Sequence, residues 1–383
     1  MRIAYVLPYL GKPAGWRNHS IAFINAMRRH VQPVLFVSQA DYEAACALFP
    51  GDPIYPLPTT QQAALSSVQN LKTLLACYRV IHQERYPEVD LVHSLEAYPT
   101  GLVGAWLARK LHQPHAITTH GTYGVVWNER RLDRLVYEQV LKRTQLICPV
   151  SHGTANLMRT YFGHAMQHAR LKPILNGNNY TQSVSQKEAF DHVFPTHPIL
   201  LSVGDVKPRK GQHLSLQAFA RVKKEFPAAR YLIAGQYRHN PYYLKLQELI
   251  NSYDLPEVRF LGVVSDEDLR RFYRQASLFV LTPEQDGLHF EGFGLVYLEA
   301  GAYGLPVVAT RSGGVPDAVK DEVTGLLAEP GDVDGIAEAI LRLLKDPELA
   351  QRMGRANRQW AETLTWERCA KEQYQAYQEL FAG

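Results

Sequence analysis

Residues 291–319 read EGFGLVYLEAGAYGLPVVATRSGGVPDAV. A short apolar run ending at Leu281 precedes them, and Pro283 and Gly287 mark the loop between. Gly292 and Gly294 are expected to open a helix reaching about Tyr303; Pro306 stops it, and Val307 to Ala309 reads as the next buried strand. Strand, glycine turn, helix and strand in this order form the repeating unit of a parallel sheet. Glycines at the turn leave backbone N–H groups free at the positive end of the helix dipole, which suits a phosphate.

The same rhythm extends in both directions. Ile199 to Val203, Tyr231 to Ala234 and Val258 to Leu261 read as strands, with helices over Gln212 to Glu225 and Asp266 to Gln275. Nearer the start, Ile3 to Leu7, Val34 to Val37, Leu91 to His93, Ala116 to Thr119 and Leu146 to Val150 are strand-like, separated by helical segments such as Tyr98 to Leu111 and Leu132 to Arg143. The stretch TQSVSQKEAFDHVFPTHP is polar, holds two prolines and shows no apolar stripe, so it reads as a linker. The expected fold class is α/β, two tandem doubly wound, Rossmann-like parallel-sheet domains: 1–179, a linker over 180–197, 198–365, and a C-terminal helix 366–383 packing back on the first domain. Helical pattern runs from Asp332 to Lys345 and from Pro347 to about Tyr377, with Trp360 and Trp366 assigned to packing. Ligands of such sheets sit outside the carboxyl ends of the strands, so the cleft between two facing domains is the expected site.

Composition excludes other classes. The 383 residues are 46% apolar and 20% charged, with 26 Gly and 23 Pro dispersed, which excludes disorder, collagen and coiled coil. No apolar run approaches the roughly 20 residues of a membrane span. The first residues read as a buried strand rather than a signal peptide, and the four cysteines, widely spaced, indicate neither a disulfide framework nor a zinc site; the expected location is cytoplasmic. Residues 1–180 carry 18 Lys and Arg against 10 Asp and Glu, while the remainder carries 23 against 27. A basic first half suits an anionic partner, or is simply a solvated surface.

Several side chains stand where chemistry is expected. Glu291 and Glu299 are eight residues apart, about 12 Å on a helix, too far for the roughly 5 to 9.5 Å of a glycosidase pair. They suit the two ends of one elongated ligand, each carboxylate accepting hydroxyls, with phosphates on the glycines between. The loop GDVKPRKG, Gly204 to Gly211, supplies Lys207, Arg209 and Lys210. In the first half, THGTYG places His120 at the carboxyl end of a strand. The loop LGKPAGWRNHS has Gly11 and Gly15 at the wrong spacing for a dinucleotide fingerprint, which counts against an oxidoreductase.

Glu291, Phe293-Gly294 and Glu299, followed by GLPVVAT, SGGVPD and VTGLLAEPGD, resemble the retaining glycosyltransferases of family 4, which have the GT-B fold. The resemblance covers most of the chain and is strongest from Leu200 to Trp366. It implies that Glu291 contacts the donor sugar and Glu299 the ribose, and that Gly292, Phe293, Gly294 and Leu295 hold the diphosphate. Gly204, Arg209 and Lys210 join the donor site, with Lys210 neutralising the leaving group. His120 stands near the sugar, and Gly15 and Trp16 lie on the first loop. The chain departs from the pattern twice: Asp205 stands where Arg is usual, and Trp16 where a second glycine is usual. Lys207 or Arg209 is expected to supply the missing charge, or Asp205 to pair with Arg209.

The function implied is transfer of a sugar, with retention, from a UDP-, GDP- or ADP-linked donor to a saccharide or lipid-linked acceptor in cell-surface polysaccharide or glycolipid synthesis. Lys210, Glu291 and His120 are the expected catalytic residues. No cofactor or metal is expected, and no nucleic acid partner. Basic residues of the first domain, Arg130, Arg131, Arg134, Lys142 and Arg143, suit peripheral contact with an anionic membrane at its inner face. Two rivals are an epimerase on the same fold and a non-catalytic sugar-nucleotide-binding subunit.

Overall fold

The computed structural model describes residues 1–11, 15–59, 67–185, 197–237 and 241–382. The chain divides into two units: residues 1–177 with the chain from Trp366 on, and Asn178–Thr365.

In the first unit seven parallel strands, β1 (Arg2–Val6), β2 (Gln32–Ser38), β3 (Ile54–Leu57), β4 (Leu91–Ser94), β5 (His115–Thr119), β6 (Leu146–Pro149) and β7 (Arg170–Leu171), lie in the order β3-β2-β1-β4-β5-β6-β7. Ile3 registers with Pro33 on one side and Leu91 on the other. The central strands are buried almost throughout rather than at alternate residues, as strands covered on both faces are, His93, Ser94, His115, Thr118 and Thr119 included. The two edge strands were not legible as such: β3 carries Pro56, tolerated at an edge, and β7 has two residues.

The second unit holds six parallel strands, β8 (Ile199–Val203), β9 (Arg230–Ala234), β10 (Val258–Gly262), β11 (Leu278–Leu281), β12 (Val307–Thr310) and β13 (Gly325–Ala328), in the order β10-β9-β8-β11-β12-β13. Leu200, Ile233, Leu278, Val280 and Val308 anchor its core against Phe219, Ile336 and Ile340 of the flanking helices.

The helical reading from Pro347 to Tyr377 breaks in two, Pro347–Thr363 and Trp366–Ala382. Asn178 closes the first, its Nδ2 donating to the carbonyls of Ala361 (2.8 Å) and Leu364 (2.7 Å). Arg358, buried, donates to the carbonyls of Thr181 and Val184 at 2.9 Å. The expected linker therefore begins later than read: residues 178–184 pack within the second unit, and 186–196 lie outside the described residues. The last helix belongs to the first unit, where Trp366, Cys369, Ala370 and Tyr377 join the core of Tyr5, Phe23 and Ile24.

Candidate active site

Among the described residues, Ser67, Ser151, Ser265, Asp332 and Asp346 each cap a helix by accepting a backbone N–H of its first turn. Of the described helices of the second unit without such a cap, two start on a left-handed glycine. Gln212–Glu225 and Leu295–Ala302 start from Gly211 and Gly294, both left-handed and without a side-chain cap. A Cβ on Gly211 would fall 1.8 Å from the Thr282 carbonyl oxygen, and one on Gly294 would meet the Tyr297 ring at 2.4 Å, so neither place admits a side chain. At the first start the His213 N–H donates to the Tyr242 hydroxyl at 3.3 Å, whereas the second, at Gly294, leaves the N–H groups of Leu295 and Val296 facing out of the helix, where an anion binds.

Leu295–Ala302 begins later than expected. Gly292, Phe293 and Gly294 belong to the approach, and Glu291 lies four residues ahead of the first helical residue, so a helical rise does not set its distance from Glu299. Glu291 is fixed instead by its own carbonyl, which accepts the Gly314 N–H at 2.8 Å.

The loop after β8 closes onto this segment. Gly204 donates its N–H to the Ala234 carbonyl (2.8 Å) as the strand ends, and the Thr282 hydroxyl holds the Gly211 carbonyl at 2.9 Å. Lys210 and Glu291 are thereby brought together, with Nζ 2.5 Å from Oε2 and each side chain 11% exposed. The Arg209 guanidinium reaches the same oxygen at 3.2 Å and the Phe290 carbonyl at 3.4 Å. Burial pushes the Glu291 carboxyl up, but the charges of Lys210 and Arg209 outweigh it and hold the group below its ordinary range. Asp205 pairs with Lys207 at 2.8 Å on the surface, and Arg209 turns to Glu291 rather than to Asp205.

Glu299 lies within the 295–302 helix, facing the Tyr273 hydroxyl. Burial pushes its carboxyl up to about 7, against the pull of Tyr273.

Of the expected residues of the first unit, Gly15 and Trp16 open the helix Gly15–Met27, and Lys12 to Ala14 of the preceding loop lie outside the described residues. His120 follows β5 directly and donates Nε2–H to the Leu95 carbonyl (3.1 Å), which assigns the lone pair to Nδ1. Burial lowers it to about 4, so the ring is neutral at pH 7. The sequence reading passed over His19, buried 4.4 Å from the His120 ring centroid, and Glu96, two residues past β4. The signal for Glu96 was available: a carboxylate just beyond a strand's carboxyl end.

The family model described as "Glycosyl transferases group 1" matches residues 184–360, and that described as "Glycosyltransferase Family 4" matches residues 14–180. The chain belongs to glycosyltransferase family 4. It is a retaining glycosyltransferase, moving a sugar from a nucleotide-diphospho-sugar to an acceptor. Among similar proteins is a GDP-mannose-dependent α-(1-6)-phosphatidylinositol monomannoside mannosyltransferase of Mycolicibacterium smegmatis, 29% identical, with 72% of each chain covered. A D-inositol 3-phosphate glycosyltransferase of Saccharomonospora viridis is 28% identical over 97% of this chain and 91% of its own. Among solved structures, sucrose-phosphate synthase of Thermosynechococcus elongatus superposes with a TM-score of 0.76 at 24% identity, over 100% of this chain and 99% of that one. HepE of Anabaena, solved with UDP and glucose, does so at 0.74 and 20% identity, covering 99% and 100%. The transferase therefore has the GT-B fold.

Proposed function

We propose that the donor diphosphate binds the second unit against Lys210, Arg209 and the open N–H groups at Gly294 and Leu295, with Glu291 at the sugar and Glu299 at the ribose. The observation that carries this reading is the buried Lys210–Glu291–Arg209 cluster, two cations converging on one carboxylate oxygen beside an uncapped helix start. In this reading Glu291 keeps the cations in place until the donor enters. Its oxygens then take sugar hydroxyls, and the cations face the phosphate oxygens on which charge develops as the C1–O bond breaks. The acceptor oxygen attacks C1 from the leaving group's own face, and its proton passes to a diphosphate oxygen. No protein nucleophile is needed, and Lys210 and Arg209 supply the positive charge without a metal. Within the first unit, His120, neutral with its lone pair on Nδ1, is suited to accept a hydrogen bond from a hydroxyl group.

GDP-mannose is the first donor to test, because mannosyltransferase relatives are described as dependent on it. A panel of UDP-, GDP- and ADP-sugars tests the reading with wild type, Lys210→Ala and Glu291→Ala, in buffer with and without EDTA. Cleavage of one donor, lost in both variants and indifferent to EDTA, is expected. Cleavage that survives both substitutions sinks it.

We place the acceptor at a membrane surface. Among the described residues no helix is long and apolar enough to cross a membrane. Leu132 and Leu135, 63% and 55% exposed, lie on the helix Arg131–Lys142 beside exposed Arg131 and Lys142, a combination suited to anionic headgroups. Co-sedimentation with anionic but not neutral vesicles at low salt is expected; equal binding to both counts against it.

A further inference from the structure

Arg209 and Lys210 sit on a loop that the rest of the second unit holds by its carbonyls. Gln212 Nε2 donates to the Asp205 carbonyl at 3.1 Å, the Glu284 N–H to that of Arg209 at 3.1 Å, and the Thr282 hydroxyl to that of Gly211 at 2.9 Å. Lys210 falls between the last two anchors.

The first two anchors are themselves held by one cluster. Tyr242, on the helix Pro241–Ser252, places its hydroxyl 3.3 Å from Gln212 Oε1, 3.2 Å from His213 Nδ1 and 3.3 Å from the His213 backbone nitrogen. With Oε1 facing that hydroxyl, the buried Gln212 amide presents Nε2 to the Asp205 carbonyl. The other ring nitrogen, His213 Nε2, lies 3.3 Å from Oε1 of Glu284, the residue whose N–H holds Arg209. Burial, with Lys245 adding to it, lowers His213 to about 4, so the ring is neutral at pH 7 and has a single N–H. On Nε2 that proton serves Glu284, which leaves Nδ1 as an acceptor on the Tyr242 side.

The two cations need this hold more with a donor than without one. In the free protein both are turned onto one Glu291 oxygen. A donor takes over part of that contact, and a loop released from its ionic anchor keeps its geometry only through its backbone contacts. Charges stabilise a leaving group best when they are already in place, because charges that reorganise during the step lose that advantage.

We infer that Tyr242 and His213 are positioning residues for the leaving diphosphate, holding the 205–211 loop through Gln212 and Glu284 so that Arg209 and Lys210 keep one geometry when phosphates replace Glu291 beside them. This rests on the donor reading above. Neither is a catalytic residue: both act through the loop.

Isothermal calorimetry with UDP, GDP and ADP and their monophosphates tests it on wild type, Tyr242→Phe, His213→Ala and Lys210→Ala. The ratio of the two affinities isolates the distal phosphate, which the cations face, from the nucleoside and the first phosphate. Wild type is expected to bind one diphosphate more tightly than its monophosphate. Tyr242→Phe and His213→Ala should each narrow that preference about fivefold, with monophosphate affinity within about twofold of wild type. A preference unchanged in both variants overturns the inference, and so does equal weakening of monophosphate and diphosphate, which marks a purely structural role. Tyr242→Phe removes one hydroxyl and keeps the ring, so the test stands even where His213→Ala fails to fold. Lys210→Ala tells the two readings apart. A preference absent from wild type, or intact in Lys210→Ala, removes the cations from the phosphate site and the inference with it. A preference lost in Lys210→Ala but kept in Tyr242→Phe and His213→Ala leaves the donor site standing and removes only the positioning role.

Discussion

Lys210 Nζ and Glu291 Oε2 are 2.5 Å apart, with each side chain 11% exposed, and Arg209 reaches the same oxygen at 3.2 Å. Breaking a buried pair by removing one partner costs about 3–5 kcal/mol, so loss of activity in Lys210→Ala has two sources. The double variant Lys210→Ala/Glu291→Gln separates them. Its melting temperature is expected to recover toward wild type, because no carboxylate is left short of its partner, while donor turnover stays about 10²- to 10³-fold down. Thermal unfolding alongside donor hydrolysis makes the check; recovery of both together would mean that the pair serves stability alone.

Asp205, the departure from the expected loop pattern, pairs with Lys207 in a contact whose side chains are 45% and 54% exposed. Exposed pairs contribute about 0–1 kcal/mol, so Asp205→Ala should change the donor KM by less than about threefold. Arg209→Ala removes the second cation of the buried cluster and is expected to lower kcat/KM by about tenfold or more. Steady-state kinetics with the donor found above decide between them. A large effect of Asp205→Ala with none of Arg209→Ala would return the phosphate contact to the 205 position.

The two sheets were legible because fully buried parallel strands print as apolar runs, and Leu278–Leu281 and Val307–Thr310 need no partner to be recognised. Edges were harder. Ile54–Leu57 contains a proline and is half-buried, so its pattern is that of a loop. Pairing within the site was legible only in part: a loop with three cations near Asp205 does not say which turns inward, and the carbonyl contacts at Gly211 and Glu291 decide it. Glu96 escaped notice because its meaning depends on a strand order, β1 beside β4, that sequence periodicity does not encode.

Acid should loosen the first unit. Burial lowers His93 and His115 to about 3 and His120 to about 4, and the unfolded chain titrates them near 6.5. Below pH 6.5 the unfolded state therefore binds protons that the folded state refuses, and stability falls as pH drops toward 4. Glu96, raised to about 8 when folded, works in the opposite sense, but it is one group against three. Urea unfolding from pH 7.5 to 5 checks this through tryptophan fluorescence, since four of the five Trp lie in this unit. His115→Gln, which stops the titration, should reduce the slope by up to about 1.4 kcal/mol per pH unit. Stability level or rising toward pH 5 would contradict the buried neutral histidines.

The last helix is structural for a unit whose other residues, Met1–Gly177, all lie before the whole of the second unit in sequence. Trp366 is 6% exposed, its ring centroid 5.1 Å from that of His19, and the Tyr377 hydroxyl lies 2.5 Å from His93 Nδ1. Trp366→Ala should cost about 3–5 kcal/mol, the usual range for emptying a large aromatic site. Ending the chain after Thr365 goes further, exposing Phe23 and Ile24 and removing the Tyr377 hydroxyl from His93 Nδ1, which leaves His93 only the Thr118 hydroxyl at Nε2. Under limited proteolysis the truncated protein should lose peptides from residues 1–177 first, while the 178–365 unit persists, because its core of Leu200, Phe219, Val280 and Ile340 draws nothing from the removed helix. Equal protection of both segments after truncation would show that the helix is dispensable to the first core.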